Sequence, residues 1–281
     1  MVVANLSWDI QRASGGRFVL GLGPQIRPHN EKRFSVPWSA PMPRLREYVN
    51  ALRAIWRCWE TGERLRFEGK HYTFTLMTPN FTPEATGQPP IPITISAVGP
   101  HSLRLAGEAC DGVRLHPFCT RSYLEEVALV LIGEGMERTG RKRETFEVTG
   151  GGFVATGATD EEVAEVVEWV RYRVAFYGST PGYWPVFEHH GLGDLGRRLN
   201  VMTKEGRWDE LAAEIDDDVL RLFTAVGRHD EIAVEIEKRF GGLADTINPG
   251  TSIVARAPVP PDVLQDIKRI PMKFTGFKPQ Q

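Results

Sequence analysis

Cysteine and long apolar runs are scarce in this sequence, and each scarcity excludes a class of protein. Its three cysteines, Cys58, Cys110 and Cys119, form no C-x-x-C pair and are too few for a disulfide framework, which favours a reducing compartment and a buried, filling role. No stretch approaches the roughly 18 uninterrupted apolar residues of a membrane helix, and the first residues lack the basic start and apolar core of a signal peptide. We therefore expect a cytoplasmic protein with no membrane partner.

Net charge is also low. The 34 basic and 36 acidic side chains leave a formal charge of -2, so the composition gives no electrostatic footprint for nucleic acid. With 41% hydrophobic and 25% charged residues, the chain resembles an average globular protein. We expect one domain spanning 1–281, because barrels of alternating strands and helices reach this length as one domain. Inserted loops are expected near 62–92 and 178–228.

Short apolar runs alternate with amphipathic segments along the chain. The predicted strands are 17–21, 91–97, 111–116, 146–156 and 243–247, the first two of them buried on both faces, and a small hairpin is expected within 66–74. The predicted helices are 2–13, 44–60, a short one after Gly99, 123–138 with a capping box of Ser122 and Glu125, one capped by Thr159 and Glu162, several short ones from 178 to 242, and one near 261–268. Repeated strand-helix units imply a parallel sheet with helices outside it, either doubly wound or a (β/α)8 barrel.

Four segments resemble the luciferase-like monooxygenase superfamily: "ASGGRFVLGLG", "EYVNALRAIW", "PPIPITISAVGPHSLRLAGEACDGV" and "AFYGSTPGYWPVFEHHG". The last is similar to a subgroup that depends on coenzyme F-420, a deazaflavin. The resemblance implies an α/β fold, a (β/α)8 TIM-barrel of the bacterial-luciferase type, in which "GRFVLGLG" is the fourth strand. We therefore expect the first three strand-helix units, with the family's Asp/His pair and non-prolyl cis peptide, to be absent from this N-terminally short sequence, as in a late start or a fragment.

The turn "AVGPHS" is the first candidate site, because it joins a predicted strand to a helix start. Free N–H groups and the positive end of the helix dipole favour a phosphate at such a position. The resemblance assigns the cofactor's phosphate to all six residues of the turn: Ala97, Val98, Gly99, Pro100, His101 and Ser102. The residues alone favour an ordinary strand-to-helix turn, with Gly for its backbone angle and Pro for the first helical turn, and the resemblance favours the phosphate site.

The charged loop "GPQIRPHNEKRF" follows the fourth strand of the implied barrel, so it should lie at the carboxyl end, where barrel enzymes assemble their sites. Gly23 and Asn30 are assigned to the cofactor. Arg27 or Arg33 could bind an anion, Arg33 being the candidate substrate contact, since a guanidinium binds phosphate in a fixed fork. His29 is a candidate acid or base. The alternative is a solvated, charged surface loop.

Other candidates lie further along the chain. His116 ends a predicted strand and is the main catalytic candidate; its alternative is a strand-end histidine satisfied by backbone. Tyr177 and Ser179 belong to the segment that resembles the F-420-dependent subgroup, and we expect them at the substrate entrance unless they form only a packed aromatic turn. The adjacent His189 and His190 do not predict a metal, because neighbouring rings rarely converge on one ion.

The preferred interpretation is an oxidoreductase that uses coenzyme F-420 for hydride transfer with a small organic substrate. FMN is the alternative cofactor and would give a monooxygenase. The interpretation from another class is a non-catalytic flavin- or deazaflavin-binding protein, or an inactive fragment. The resemblance also implies a homodimer.

Overall fold

Strands and helices alternate along the chain in the computed structural model, which describes residues 1–249 and 258–277. The strands are β1 (Leu20–Leu22), β2 (Phe67–Glu68), β3 (Thr73–Phe74), β4 (Ile93–Ala97), β5 (Gly112–Leu115), β6 (Glu147–Thr149), β7 (Phe153–Gly157) and β8 (Thr224–Arg228). The α-helices are α1 (Val2–Ala13), α2 (Pro41–Thr61), α3 (Pro100–Ala109), α4 (Arg121–Tyr123), α5 (Leu129–Glu137), α6 (Asp160–Gly178), α7 (Trp184–His189), α8 (Gly193–Lys204), α9 (Asp217–Phe223), α10 (Ile232–Phe240) and α11 (Pro261–Ile267). A π-helical turn, Leu124–Ala128, joins α4 to α5. Among the described helices, none has the length and apolarity needed to cross a membrane.

The central sheet is parallel, with the strand order β1-β4-β5-β6. Ile95 pairs with Val113, and Val113 with Val148, and all three side chains have no exposed surface. Parallel neighbours need a crossover connection, and here helices provide it. A single bridge from Thr149 to Thr246 continues the parallel pairing beyond β6, at the predicted strand 243–247. The prediction of parallel strands with helices outside them is confirmed.

The two faces of this sheet differ in polarity. One row of side-chain positions is formed by residues paired in register, Gly21, Thr94, Gly112 and Glu147. In the next row, Ser96 pairs with Arg114, and both are exposed. The prediction that the first two strands are buried on both faces is therefore wrong for this side, because small and polar residues alternate with the apolar ones that face the helices.

Three consecutive glycines break the strand predicted at 146–156. Gly150, Gly151 and Gly152 have φ angles of 70°, 127° and 138°, which belong to no strand and which glycine adopts without a Cβ clash. β6 stays in the central sheet, whereas β7 pairs in parallel with β8, Phe153 opposite Thr224. The prediction of one continuous strand is wrong, and β8 lies in a segment expected to hold mostly short helices.

A different residue from the predicted one caps the helix after β5. The hydroxyl of Thr120 accepts the N–H of Tyr123 at 3.1 Å, so the capping box of Ser122 with Glu125 is wrong. Ser122 instead donates to the carboxylate of Glu126 at 3.1 Å. Both hydroxyls satisfy the sequence pattern for an N-cap, and the helix begins two residues earlier than the pattern indicated.

Most other predicted elements are confirmed. α1, α2, α3 and α11 begin and end within three residues of their predicted limits, and β2 and β3 form the antiparallel hairpin. The Thr159 hydroxyl accepts the N–H of Glu162 at 3.3 Å at the start of α6. The three cysteines are free and buried as expected. Burial raises the pKa of Cys110 and of Cys119 to about 12, so neither thiol is reactive at neutral pH.

Candidate functional site

The turn after β4 leaves open space at the start of α3. Gly99 is the N-cap and Pro100 the first helical residue, so the next N–H, that of His101, has no acceptor within the helix. A Cβ added at Gly99 would meet no atom of the described chain within 4 Å. The Ser102 hydroxyl donates to the Gly99 carbonyl at 2.8 Å and accepts the N–H of Val98 at 3.3 Å. Ser102 therefore holds the turn in shape, and the helix start faces free space.

His116 follows β5 and is held by backbone and aromatic rings. Its Nδ1 accepts the N–H of Phe118 at 3.0 Å, which places the proton of the neutral ring on Nε2. Its ring lies 4.3 Å from that of Tyr177 and 4.7 Å from that of Tyr183, between centroids. Burial lowers the pKa of His116 to about 4. At neutral pH the ring is uncharged and offers one N–H.

The ends of β4 and β5 bring these two features together. A cavity of about 10 Å³ lies between them, with Ala97, Val98 and His116 among its lining residues. Ala97 itself is buried, with 3% of its surface exposed. The carboxyl ends of adjacent parallel strands thus place His116 beside the turn that begins α3.

Tyr177 and Ser179 make different kinds of contact. Tyr177 lies on His116, whereas the buried Ser179 hydroxyl donates to the carbonyl of Phe176 at 2.7 Å and the Ser179 carbonyl accepts from Asn200 at 2.9 Å. Ser179 therefore closes the end of α6, and Tyr177 is the member of this pair that the structure brings to the site.

Two histidines at the end of α7 form hydrogen bonds with residues at the start of α4. The Nε2 atoms of His189 and His190 lie 2.7 Å from the hydroxyls of Ser122 and Thr120, respectively. Burial and the neighbouring His189 lower the pKa of His190. No group of three or more potential metal ligands occurs among the described residues. These contacts position the short segment that carries Tyr183 over His116.

The charged loop after β1 contains a π-helical turn, His29–Arg33. Arg27 pairs with Glu31 at 3.1 Å, and the His29 ring lies 3.3 Å from the side chain of Gln25. Arg33 lies over the ring of Phe34, 5.3 Å from its centroid. The structure thus places His29 and Arg33 in an exposed loop with local partners, and the catalytic and substrate roles suggested for them stay predictions.

Gly23 and Asn30 border a second cavity beside this loop. The cavity has a volume of about 370 Å³, and its walls include Trp38, Tyr48 and Tyr72. The Asn30 amide donates to two carbonyls of its own loop, at 3.0 and 3.1 Å, so it shapes the loop. This space lies at the carboxyl end of β1, and the cofactor roles suggested for Gly23 and Asn30 stay predictions.

The residue that sequence reasoning missed is Arg114. It lies on β5 opposite Ser96 of β4, and His116 follows it two positions later, just past the end of the strand. The signal was the alternation itself: Thr94 and Ser96 in "ITISA" and Arg114 in "VRLH" are polar at every second position. Reading those runs as apolar hid a polar face that leads to the site.

In (β/α)8-type enzymes, helices lie outside parallel strands, and the active site lies at the carboxyl ends of the strands. This chain has parallel strands with helices outside them, and its candidate side chains lie at the carboxyl ends of those strands. Residues 1–246 match the family model described as luciferase-like monooxygenase. The chain belongs to this family, and its fold is of the TIM-barrel type found there.

Similar proteins include both named enzymes and an uncharacterised protein. An uncharacterised protein of Mycobacterium tuberculosis (strain ATCC 25618 / H37Rv) is 45% identical over 249 residues, covering 89% of this chain and 73% of that protein. The 5,10-methylenetetrahydromethanopterin reductase of Archaeoglobus fulgidus is 29% identical over 277 residues, covering 96% of this chain and 76% of the reductase. The chain therefore spans about three quarters of each relative's length.

Solved structures agree on the fold. The coenzyme F-420-dependent tetrahydromethanopterin reductase of Methanopyrus kandleri has a TM-score of 0.68 at 20% identity, covering 95% of this chain and 76% of that structure. The oxygenating constituent of 3,6-diketocamphane monooxygenase from Pseudomonas putida, in complex with FMN, has a TM-score of 0.62 at 17% identity, covering 98% and 76%. Relatives in this fold thus include enzymes that use either cofactor.

Proposed function

We propose that this chain forms the cofactor-binding part of an oxidoreductase that uses coenzyme F-420 for hydride transfer with a small organic substrate. The similar structure named as a coenzyme F-420-dependent reductase and the segment around Tyr177 support the deazaflavin over FMN. The observation that carries the proposal is the open start of α3 next to the half-buried, neutral His116. A phosphate site and a proton-bearing ring side by side suit a phosphorylated redox cofactor.

The α3 turn fits the phosphate of such a cofactor. The helix start presents the His101 N–H and the positive end of the dipole of a ten-residue helix, and Gly99 leaves the approach clear. Ser102 keeps the turn in this shape through its two hydrogen bonds with the turn's own backbone. In this proposal the turn binds and orients, and it performs no chemistry.

Bound coenzyme F-420 would supply a ring carbon that accepts or donates a hydride. His116 would hold a hydrogen-bond acceptor of the ligand with its Nε2–H, since its Nδ1 is already engaged by Phe118. Tyr177 and Tyr183 fix the plane of the His116 ring and exclude water from one side of it. A neutral imidazole in this position orients a ligand without adding a charge.

The test is an equilibrium titration of the purified protein with coenzyme F-420 and, separately, with FMN, followed by ligand fluorescence. We expect saturable binding of one F-420 per chain and an affinity for FMN at least about tenfold weaker. Tighter binding of FMN would overturn the deazaflavin assignment. Saturable binding of neither would overturn the cofactor site.

A further inference from the structure

The polar face of the central sheet is an unusual lining for a barrel-type fold. Interiors of such barrels are filled mainly by bulky branched side chains. Here the row nearest the site contains Ser96 and Arg114, above a row of Gly21, Thr94 and Gly112. This face therefore has room and polarity where an ordinary barrel has a packed apolar core.

Arg114 lies across the sheet. Its Nε donates to the hydroxyl of Thr94 on the adjacent strand at 3.3 Å. A Cβ added at Gly21, on the strand after that, would lie 3.5 Å from the same Nε. The side chain thus extends from β5 over β4 toward β1, and the absent side chain at Gly21 leaves space for it.

The terminal nitrogens of this guanidinium are available. Within the described residues, no carboxylate forms an ion pair with Arg114, although sixteen other arginines have such a partner. Glu147 shares the face, and its carboxylate accepts the Thr246 hydroxyl at 2.7 Å. Arg114 therefore presents one positive charge beside the hydroxyl groups of Thr94 and Ser96 on this face of the sheet.

We propose that Arg114 binds an anionic oxygen group, a carboxylate or phosphate, at one end of the substrate. The guanidinium fork matches both groups with two parallel hydrogen bonds. His116 follows two residues later along the chain, just past the end of β5, and two residues of extended chain rise about 7 Å. A small anionic substrate can therefore reach from Arg114 to the region beside His116. Calling the bound molecule the substrate rests on the proposed function; the anion site itself does not.

The test compares three probes of similar size, benzoate, phenyl phosphate and benzyl alcohol, by calorimetry with no cofactor present. We expect the wild-type protein to bind at least one anion about tenfold or more tightly than the alcohol. Arg114→Gln should remove this preference, and Arg114→Lys should restore part of it. Arg138→Gln, which removes an exposed arginine paired with Glu108, is the matched control and should leave the preference unchanged.

Two results would overturn the proposal. One is the same anion preference in Arg114→Gln as in the wild type, and the other is no anion preference in the wild type. A lowered melting temperature for Arg114→Gln with unchanged anion binding would likewise assign the residue a structural role. The same protein is also titrated with coenzyme F-420. If F-420 does not bind but the anion preference still depends on Arg114, the proposed function is rejected and the anion site is retained.

Discussion

His116 shows how burial sets the chemistry of one side chain. Folding lowers its pKa from 6.5 to about 4, so between these values the unfolded chain binds a proton that the folded chain does not. The stabilising contribution is therefore complete above about pH 6.5 and is lost as the pH falls toward 4. We expect the free energy of unfolding to drop by about 1–2 kcal/mol between about pH 7.5 and pH 5 from this residue alone.

Urea denaturation at the two pH values measures this effect. His116→Gln retains a hydrogen-bond acceptor for Phe118 and should show a pH-dependent drop smaller by that amount. An equal drop in His116→Gln and the wild type would contradict the buried, neutral histidine.

Among the structural elements, the glycine break between β6 and β7 decides which sheet each strand joins. Gly152 has a φ of 138°, and a Cβ there would lie 2.8 Å from the ring of Phe240. We expect Gly152→Ala to lower the free energy of unfolding by about 2–4 kcal/mol, because both the backbone and the contact are unfavourable. Chemical denaturation provides the measurement.

Gly99→Ala is the matched control for this element. Gly99 has an ordinary φ of -86° and open space around an added Cβ within the described chain. Its substitution should change the unfolding free energy by no more than about 0.5 kcal/mol. Similar losses in both variants would mean that the break at 150–152 is not the constrained feature described above.

At the scale of the whole molecule, a buried ion pair ties the C-terminal segment to the sheet. Asp245 is fully buried and lies 2.8 Å from Arg143. Its carboxylate also accepts the N–H groups of Val148, at 2.8 Å, and of Lys273 and Phe274, both at 3.0 Å. Removing one partner of a buried pair leaves the other charge unsatisfied.

We expect Asp245→Ala to lower the free energy of unfolding by about 3–5 kcal/mol and to speed proteolysis within 258–277. Asp266→Ala removes an exposed pair with Arg269 and should change stability by less than about 1 kcal/mol. Limited proteolysis followed by mass spectrometry measures both variants. Unchanged cleavage in Asp245→Ala would contradict the role of this pair.

Prediction from sequence worked where one periodic signal dominated. The apolar spacing of α2 and the short apolar runs of β4 and β5 were sufficient for the parallel sheet, and "AVGPHS" indicated the helix start correctly. It failed at the helix after β5, where both Thr120 and Ser122 fit the N-cap pattern. It also failed at 150–152, where the backbone angles of three glycines end the strand. The aromatic contacts of His116 arise from residues about sixty positions away, which no local pattern encodes.

The most direct test of the central claim is the affinity of coenzyme F-420 for Gly99→Glu and Gly99→Gln. The two side chains have the same size, and no described atom lies where either would begin, so they differ at the helix start only in charge. If the turn binds the phosphate, Gly99→Glu should weaken binding about tenfold or more relative to Gly99→Gln, although the dipole should make Gly99→Glu equally stable or more stable by up to about 1 kcal/mol. Equal affinities in the two variants would show that the phosphate does not bind at this turn.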